Sequence, residues 1–452
     1  MTSCSRALKR ALWAFCGLLM FSKPALAAER PNILLVIWDT TRADHLSFTG
    51  YERQTTPHLA KLAADGANFQ SATSSAWWTP PGVAGIFTGM FQHNNQVDYQ
   101  TEGHTLNLTE DVVTLAEALK AQGYKTAGFF AQKQLSNNDG FGQGFDAFER
   151  VSEAKIIPKT MEFIDSAGDD PWFVMAYWVN PHAPYSPREA HDLWSVPTAP
   201  DINLMGCTDE RVPKGFVTHC QVNRGKVEMK PAHWKSFEDR YDGELRQNDA
   251  DLEKLWKTLK GKGLTKDLLF AFTSDHGELF NDRNKGRCWH KSPYEPLLHV
   301  PLVIRYPGKV PRRVVRSDVR TIDLYPTILE LIGSSPPEPV NGESLLPLVR
   351  KAGAHRPSIA FSKSSDDIVS YRTAPYKLIY SRGGEEGPRY ELYNLRNDPT
   401  ETKNIAKAKP DLVKNLRAQA ETLIKQTTLG VAGAKSSTDQ QLEALKALGY
   451  VE

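Results

Sequence analysis

Cysteine is scarce in this chain, with five in 452 residues, and no two of them stand in a Cys-x-x-Cys spacing. That excludes a zinc ribbon or a related zinc–cysteine site. An excess of one charge is missing too. The 55 Lys and Arg face 53 Asp and Glu, for a formal net charge of +2. This balance excludes nucleic acid as a partner held through bulk charge and describes a mixed, solvated surface. Past residue 27 no apolar run reaches the roughly 20 residues that a membrane-spanning helix needs. Internal repeats and low-complexity tracts are absent. What remains, at 40% hydrophobic and 24% charged residues, is a globular chain long enough for two or three domains of roughly 100–200 residues.

The start of the chain is different. Arg6, Lys9 and Arg10 precede the short apolar run Ala11–Phe21, and Ala25-Leu-Ala27 supplies small residues for a cleavage site. The pattern predicts a secretory signal over residues 1–27, with an uncleaved anchor as the alternative. The mature chain is then expected to be exported, secreted or periplasmic, and not membrane-spanning. Export places the later cysteines in an oxidising setting. Cys207 and Cys220 bracket a Pro/Gly-containing loop that a disulfide would close, which leaves Cys288 alone.

From Pro31 to about Gly308 apolar strand runs alternate with amphipathic stretches. Asn32–Trp38, Tyr124–Phe130, Trp172–Trp178, Leu268–Thr273 and Val300–Arg305 are continuous apolar runs, as expected for strands covered on both faces. Val112–Lys120 and Leu245–Leu259 read as helices between them. The expected fold class is α/β, a doubly wound, mainly parallel sheet. Residues 28–355 form this catalytic domain, and 187–234 is a long proline-rich insertion read as a wall of the substrate entrance. Over 356–452 short strands (Ser358–Ser362, Asp367–Tyr371, Lys377–Tyr380, Glu391–Tyr393) and a helix, Asp411–Thr427, predict a smaller antiparallel sheet with a packed helix.

Three of the central strands end on reactive side chains: Asp39, then Asn180-Pro-His182, then Ser274-Asp-His-Gly-Glu278. In open α/β sheets ligands bind outside the carboxyl ends of the strands. Those ends bring Asp39, His182, Asp275 and His276 toward one crevice, where two carboxylates and an imidazole suit a divalent cation. Taken singly, an Asp after a strand is also a common cap or turn residue. Thr79, before Pro80-Pro81, has two readings. It is a helix N-cap, or a hydroxyl beside unpaired amides that hold an anion, made nucleophilic by the cation.

In this order the motifs resemble the sulfatase family of the alkaline-phosphatase superfamily, over nearly the whole mature chain. They are Asp39-Thr-Thr-Arg-Ala-Asp-His45, the Pro81…Phe87-Thr-Gly89 segment, Asn180-Pro-His-Ala-Pro-Tyr185, Ser274-Asp-His-Gly-Glu278 and Val300-Pro-Leu. Glu391–Glu401 and Leu448-Gly-Tyr450 complete the match. The resemblance implies that Asp39, Asp275 and His276 are metal ligands and that Thr79 is the nucleophile and touches the metal. It implies that His182 contacts substrate and protonates the leaving group, and that Lys291 binds the transferred anion. Arg42 is expected to orient the metal loop, and His93 and His290 to be structural.

The sequence departs from that pattern at the centre. Threonine stands at 79 where sulfatases have the cysteine or serine that becomes formylglycine. Gly82 and Val83 replace the family's serine and arginine, and Phe129-Phe-Ala-Gln-Lys133 replaces a Gly-Lys-x-His segment. Threonine cannot become that aldehyde, because its Cβ already carries a methyl. The expectation is therefore a metal-dependent hydrolase or transferase of phosphate or phosphonate esters, acting through Thr79 with one divalent ion. Calcium, manganese and zinc fit this donor set, and magnesium is a further option. Its partner is a small anionic ester, free or linked to a glycan or lipid. Sulfate-ester hydrolysis without formylglycine is one alternative, and non-catalytic binding of anionic glycans or lipids is another.

Overall fold

In the computed structural model the central apolar runs are strands. The structure describes residues 30–97, 106–136, 139–196, 202–206, 211–283, 288, 292–351, 356–362, 368–382, 389–429 and 435–436. The expected signal over 1–27, His290, Lys291 and Cys207 lie outside these. A nine-stranded sheet carries β1 (Ile33–Trp38), β2 (Ala67–Thr73), β3 (Lys125–Phe130), β4 (Ala147–Arg150), β5 (Trp172–Trp178), β6 (Leu269–Thr273), β7 (His299–Arg305), β8 (Arg313–Val315) and β9 (Val319–Arg320). Their order is β8-β2-β7-β6-β1-β5-β3-β4, with β9 also on β2. β1 is parallel to both neighbours, Val36 facing Ala176 and Phe272. β7 alone among these strands runs antiparallel to those beside it.

Every residue of β1 is buried because both faces are covered. Ile33, Leu35 and Ile37 point into one apolar core, while Leu34, Val36 and Trp38 point into another. This is the period of two expected of a strand. The first core takes helices α2 (Thr79–Thr88), α3 (Leu115–Ala121) and α6 (Leu324–Leu331). The second takes α1 (Pro57–Ala64), α4 (Glu153–Ala167) and α5 (Pro231–Gly261). α3 begins later than its apolar pattern suggests because Thr114 and Glu117 form a reciprocal capping box.

The 187–234 segment is not wholly loop. Asn203–Met205 pairs with Phe216–Thr218, and α5 starts at Pro231, so Trp234 is helical. Cys220 is disulfide-bonded and Cys288 is a free, buried thiol. A separate four-stranded antiparallel sheet follows: β10 (Ser358–Ser362), β11 (Ile368–Thr373), β12 (Tyr376–Ser381) and β13 (Tyr390–Asn394). Helix α7 (Pro410–Thr427) covers it through Val413, Leu416 and Ala420. Among the described residues no helix is long and apolar enough to cross a membrane.

Candidate active site

The carboxyl ends of β1 and β6 lie side by side, and the loops that leave them are pinned together. Ser274 Oγ accepts the Thr41 N–H at 2.9 Å. It lies 2.7 Å from the Trp38 carbonyl and 2.6 Å from that of His276, one of which takes its proton. Thr40 turns the chain sharply after Asp39, with φ at 48°, the left-handed region that a β-branched residue rarely enters. Such a conformation costs on the order of 1–3 kcal/mol and persists only where the surroundings impose it. Here Tyr241 of α5 donates its hydroxyl to the Thr40 carbonyl at 2.8 Å and accepts the Arg42 N–H at 2.9 Å.

The result is a buried cluster of Asp39, Asp275 and His276, whose donor atoms all lie within 4.8 Å of one another. His276 Nε2 is 3.6 Å from Asp39 Oδ1 and 3.5 Å from Asp275 Oδ2. Its Nδ1 lies 2.8 Å from the Gly277 carbonyl. That acceptor assigns the proton to Nδ1 and turns the Nε2 lone pair toward the carboxylates. Tyr177 of β5 donates to Asp275 Oδ2 at 2.9 Å. Burial, and next the charge of Asp275, push the Asp39 carboxyl well above the usual carboxylate range. Asp39 Oδ1 is buried without a hydrogen-bond partner among the described residues. Two carboxylates, an imidazole lone pair and an unsatisfied acceptor fit a cation.

Thr79 enters this cluster from α2. It is the first helical residue, and Trp78 holds the N-cap position without a side-chain capping bond, so the cap reading of Thr79 does not hold. Its Oγ1 instead lies 3.2 Å from His276 Nε2. The expected cradle of free amides is also reduced. Pro80 and Pro81 remove two of the first-turn N–H donors, and Gly82 N–H is taken by the Trp78 carbonyl at 3.2 Å. α2 can come this close because residue 82 is glycine: a Cβ there would sit 2.6 Å from the Asp275 carbonyl oxygen. Val83, in place of the family's arginine, is fully buried in the core.

His182 stands past the end of β5 with Nδ1 2.6 Å from the Ala183 carbonyl, an acceptor that assigns a proton to Nδ1. Burial raises the carboxyl of nearby Glu278, and the charge of His182 pulls it back. Arg42 is fully engaged with Asp44 and Asp282, each at 2.7 Å, and with the Glu278 carbonyl at 3.2 Å, so it ties the β1 loop to the β6 loop. His93 lies 3.1 Å from Thr427 Oγ1 and stacks on Phe91, away from this cluster. Gln132, beyond β3, is the residue that sequence reasoning passed over. Its amide nitrogen bonds Asp39 Oδ2 and reaches Thr79 Oγ1 at 3.5 Å. Its segment, Phe129–Lys133, stood out only as a departure from the family's Gly-Lys-x-His, and that and its place past a strand end were the available signals.

Comparison with known proteins identifies the family and the fold. Residues 31–334 match the family model described as Sulfatase, and residues 288–427 match that of the N-sulphoglucosamine sulphohydrolase C-terminal region. Arylsulfatase K of Canis lupus familiaris is 23% identical over 93% of this chain and 87% of its own. An enzyme solved with its substrate D-glucosamine-2-N,6-O-disulfate superposes with a TM-score of 0.71 at 19% identity, covering 88% of this chain and 98% of that one. The phosphonate monoester hydrolase of Agrobacterium radiobacter gives 0.69 at 20% identity, covering 88% and 96%. These two structures share the fold: the large mainly parallel sheet and the small antiparallel one.

Proposed function

Because the chain belongs to the sulfatase family and is an ester hydrolase, we propose that it cleaves phosphate or phosphonate esters through a covalent intermediate on Thr79. Asp39, Thr79, Asp275 and His276 would hold one divalent cation, and the protein would act after export. The observation that carries this reading is the Thr79 hydroxyl, 3.2 Å from His276 Nε2 within the buried Asp39/Asp275/His276 cluster. When bound, the cation supplies Lewis-acid charge stabilisation and favours ionisation of a hydroxyl it touches.

Thr79 Oγ loses its proton to solvent and forms a bond to the central atom as the bond to the departing alcohol breaks. The alcohol oxygen takes the proton on His182 Nε2. Water, or an acceptor alcohol, then attacks the same atom and gives its proton to His182 Nε2, while Thr79 departs and regains a proton from solvent. Lys291 would offset charge on the transferred group. A formylglycine hydrate expels its ester by collapsing to an aldehyde through its second hydroxyl, and a threonine ester, with one oxygen on Cβ, has no such exit. The second attack must fall on the central atom, which phosphorus accommodates. Hydrolysis of sulfate esters is the second reading, favoured by the sulfatases among the relatives.

The test is a matrix of aryl phosphate monoesters, diesters, phosphonates and sulfates against several divalent ions. Phosphorus esters are expected to turn over, Thr79→Ser to retain part of the rate, and Thr79→Ala to lose at least ~10³-fold in kcat. A clear preference for sulfate, or turnover that survives in Thr79→Ala, would overturn the proposal.

A further inference from the structure

We infer that Gln132 is a positioning residue of the catalytic centre. It holds Asp39 through Oδ2 so that Oδ1 faces His276 and the cation site. This rests on the cation reading above. The orientation of its amide is set by the bonds at its two ends. Gln132 Oε1 accepts the Gln134 N–H at 3.2 Å, so the NH2 end points inward. One of its hydrogens goes to Asp39 Oδ2, and the other reaches toward Thr79 Oγ1 at 3.5 Å. Gln132 is buried, and its side chain reaches from the end of β3 across β5 to β1.

The chemistry of the side chain matters here. A lysine at this point would satisfy Oδ2 but would also cancel a charge that the cation needs. A neutral amide satisfies the same oxygen and leaves the carboxylate charge in place. Oδ1, which has no hydrogen-bond partner among the described residues, is then the oxygen presented to the centre. Ligands fixed in this way by an outer hydrogen bond typically lose 10–100-fold in metal affinity when that bond is removed. The contact with Thr79 acts in the same sense, since it restrains the hydroxyl beside His276.

The experiment titrates the full-length, metal-stripped protein with Mn²⁺ and with Ca²⁺ by calorimetry, and records melts with and without the ion. Wild type, Gln132→Leu, Gln132→Met and Asp39→Asn are compared. Asp39→Asn is expected to abolish binding, and both Gln132 variants to weaken it by ~10–100-fold, with a smaller metal-induced rise in Tm. A packing role alone would lower both melts equally and leave that rise unchanged, which overturns the inference. So would affinities within about twofold of wild type, while loss in Asp39→Asn keeps the cation reading. No binding by wild type sinks the cation reading itself. If neither Gln132 variant folds, a crystal structure of the Mn²⁺-bound wild type decides, and an amide turned away from Asp39 Oδ2 overturns the inference.

Discussion

Gly82 sets how closely α2 approaches Asp275, and so where the Thr79 hydroxyl lies. A Cβ at 82 would stand 2.6 Å from the Asp275 carbonyl oxygen and 3.3 Å from Asp275 Cβ, and the first of these is backbone that cannot swing aside. Restoring the family's residue, Gly82→Ser, is therefore expected to lift the helix start away from the cluster. Overpacking of this kind costs ~1–3 kcal/mol. Urea denaturation of Gly82→Ser and Gly82→Ala should show similar losses, since both add the same Cβ, together with a fall in kcat as Thr79 withdraws. Unchanged stability in both would mean that α2 is free to move. Asp39, Asp275 and His276 were legible in the sequence because a reactive residue at a strand end is conspicuous. Gln132 was not, because an amide gains its role only from the carboxylate it reaches two strands away.

The small sheet is tied to the large one by buried charge as well as by apolar contact. Lys377 of β12 is fully buried, with Nζ 2.9 Å from Glu295 Oε1 and 2.9 Å from Glu401 Oε1, and Arg372 of β11 lies 3.6 Å from Glu295 Oε2. Against the upward pull of burial, Arg372 and Lys377 hold the Glu295 carboxyl at about 2, while burial pushes Glu401 up to about 7. Removing the lysine charge would leave the buried Glu401 carboxyl without its cation and Glu295 with Arg372 alone. Lys377→Met is expected to cost ~3–5 kcal/mol in a denaturant titration, and Lys377→Met/Glu401→Gln less than the single variant. Equal losses in the two would place the whole effect in packing. The central strands were legible as continuous apolar runs. β2, reading Ala-Asn-Phe-Gln-Ser-Ala-Thr, escaped because only part of it is apolar, though it pairs with β7, β8 and β9. α5 extends toward Pro231 well before its leucine pattern begins, because Asp239, Asp242 and Glu244 are buried against Arg53, His45 and the Ser186 N–H. In a sequence such a face looks exposed.

For the molecule as a whole, the two-sheet plan follows from the change of pattern near residue 356, but the coupling between the sheets does not. It comes from side chains far apart in the chain: Lys377 with Glu295, and Arg283, whose guanidinium lies 3.7 Å from the centre of the Tyr294 ring and 2.8 Å from the Glu401 carbonyl. The candidate cation site has the same character. Its groups come from the ends of β1 and β6 and the start of α2, with Gln132 reaching in from past β3, so the site is assembled across the central sheet rather than within one loop. A cation bound there would stabilise the whole fold rather than one loop. At one hundred times its Kd it would add about 2.7 kcal/mol. Calorimetric scans of the metal-stripped protein with and without Mn²⁺ or Ca²⁺ are expected to show one transition moving upward as a unit. In Asp39→Asn the shift should vanish. If two transitions separate and only one moves, the buried Lys377 cluster does not join the sheets into one cooperative unit. If neither moves, the Asp39/Asp275/His276 cluster does not hold the ion.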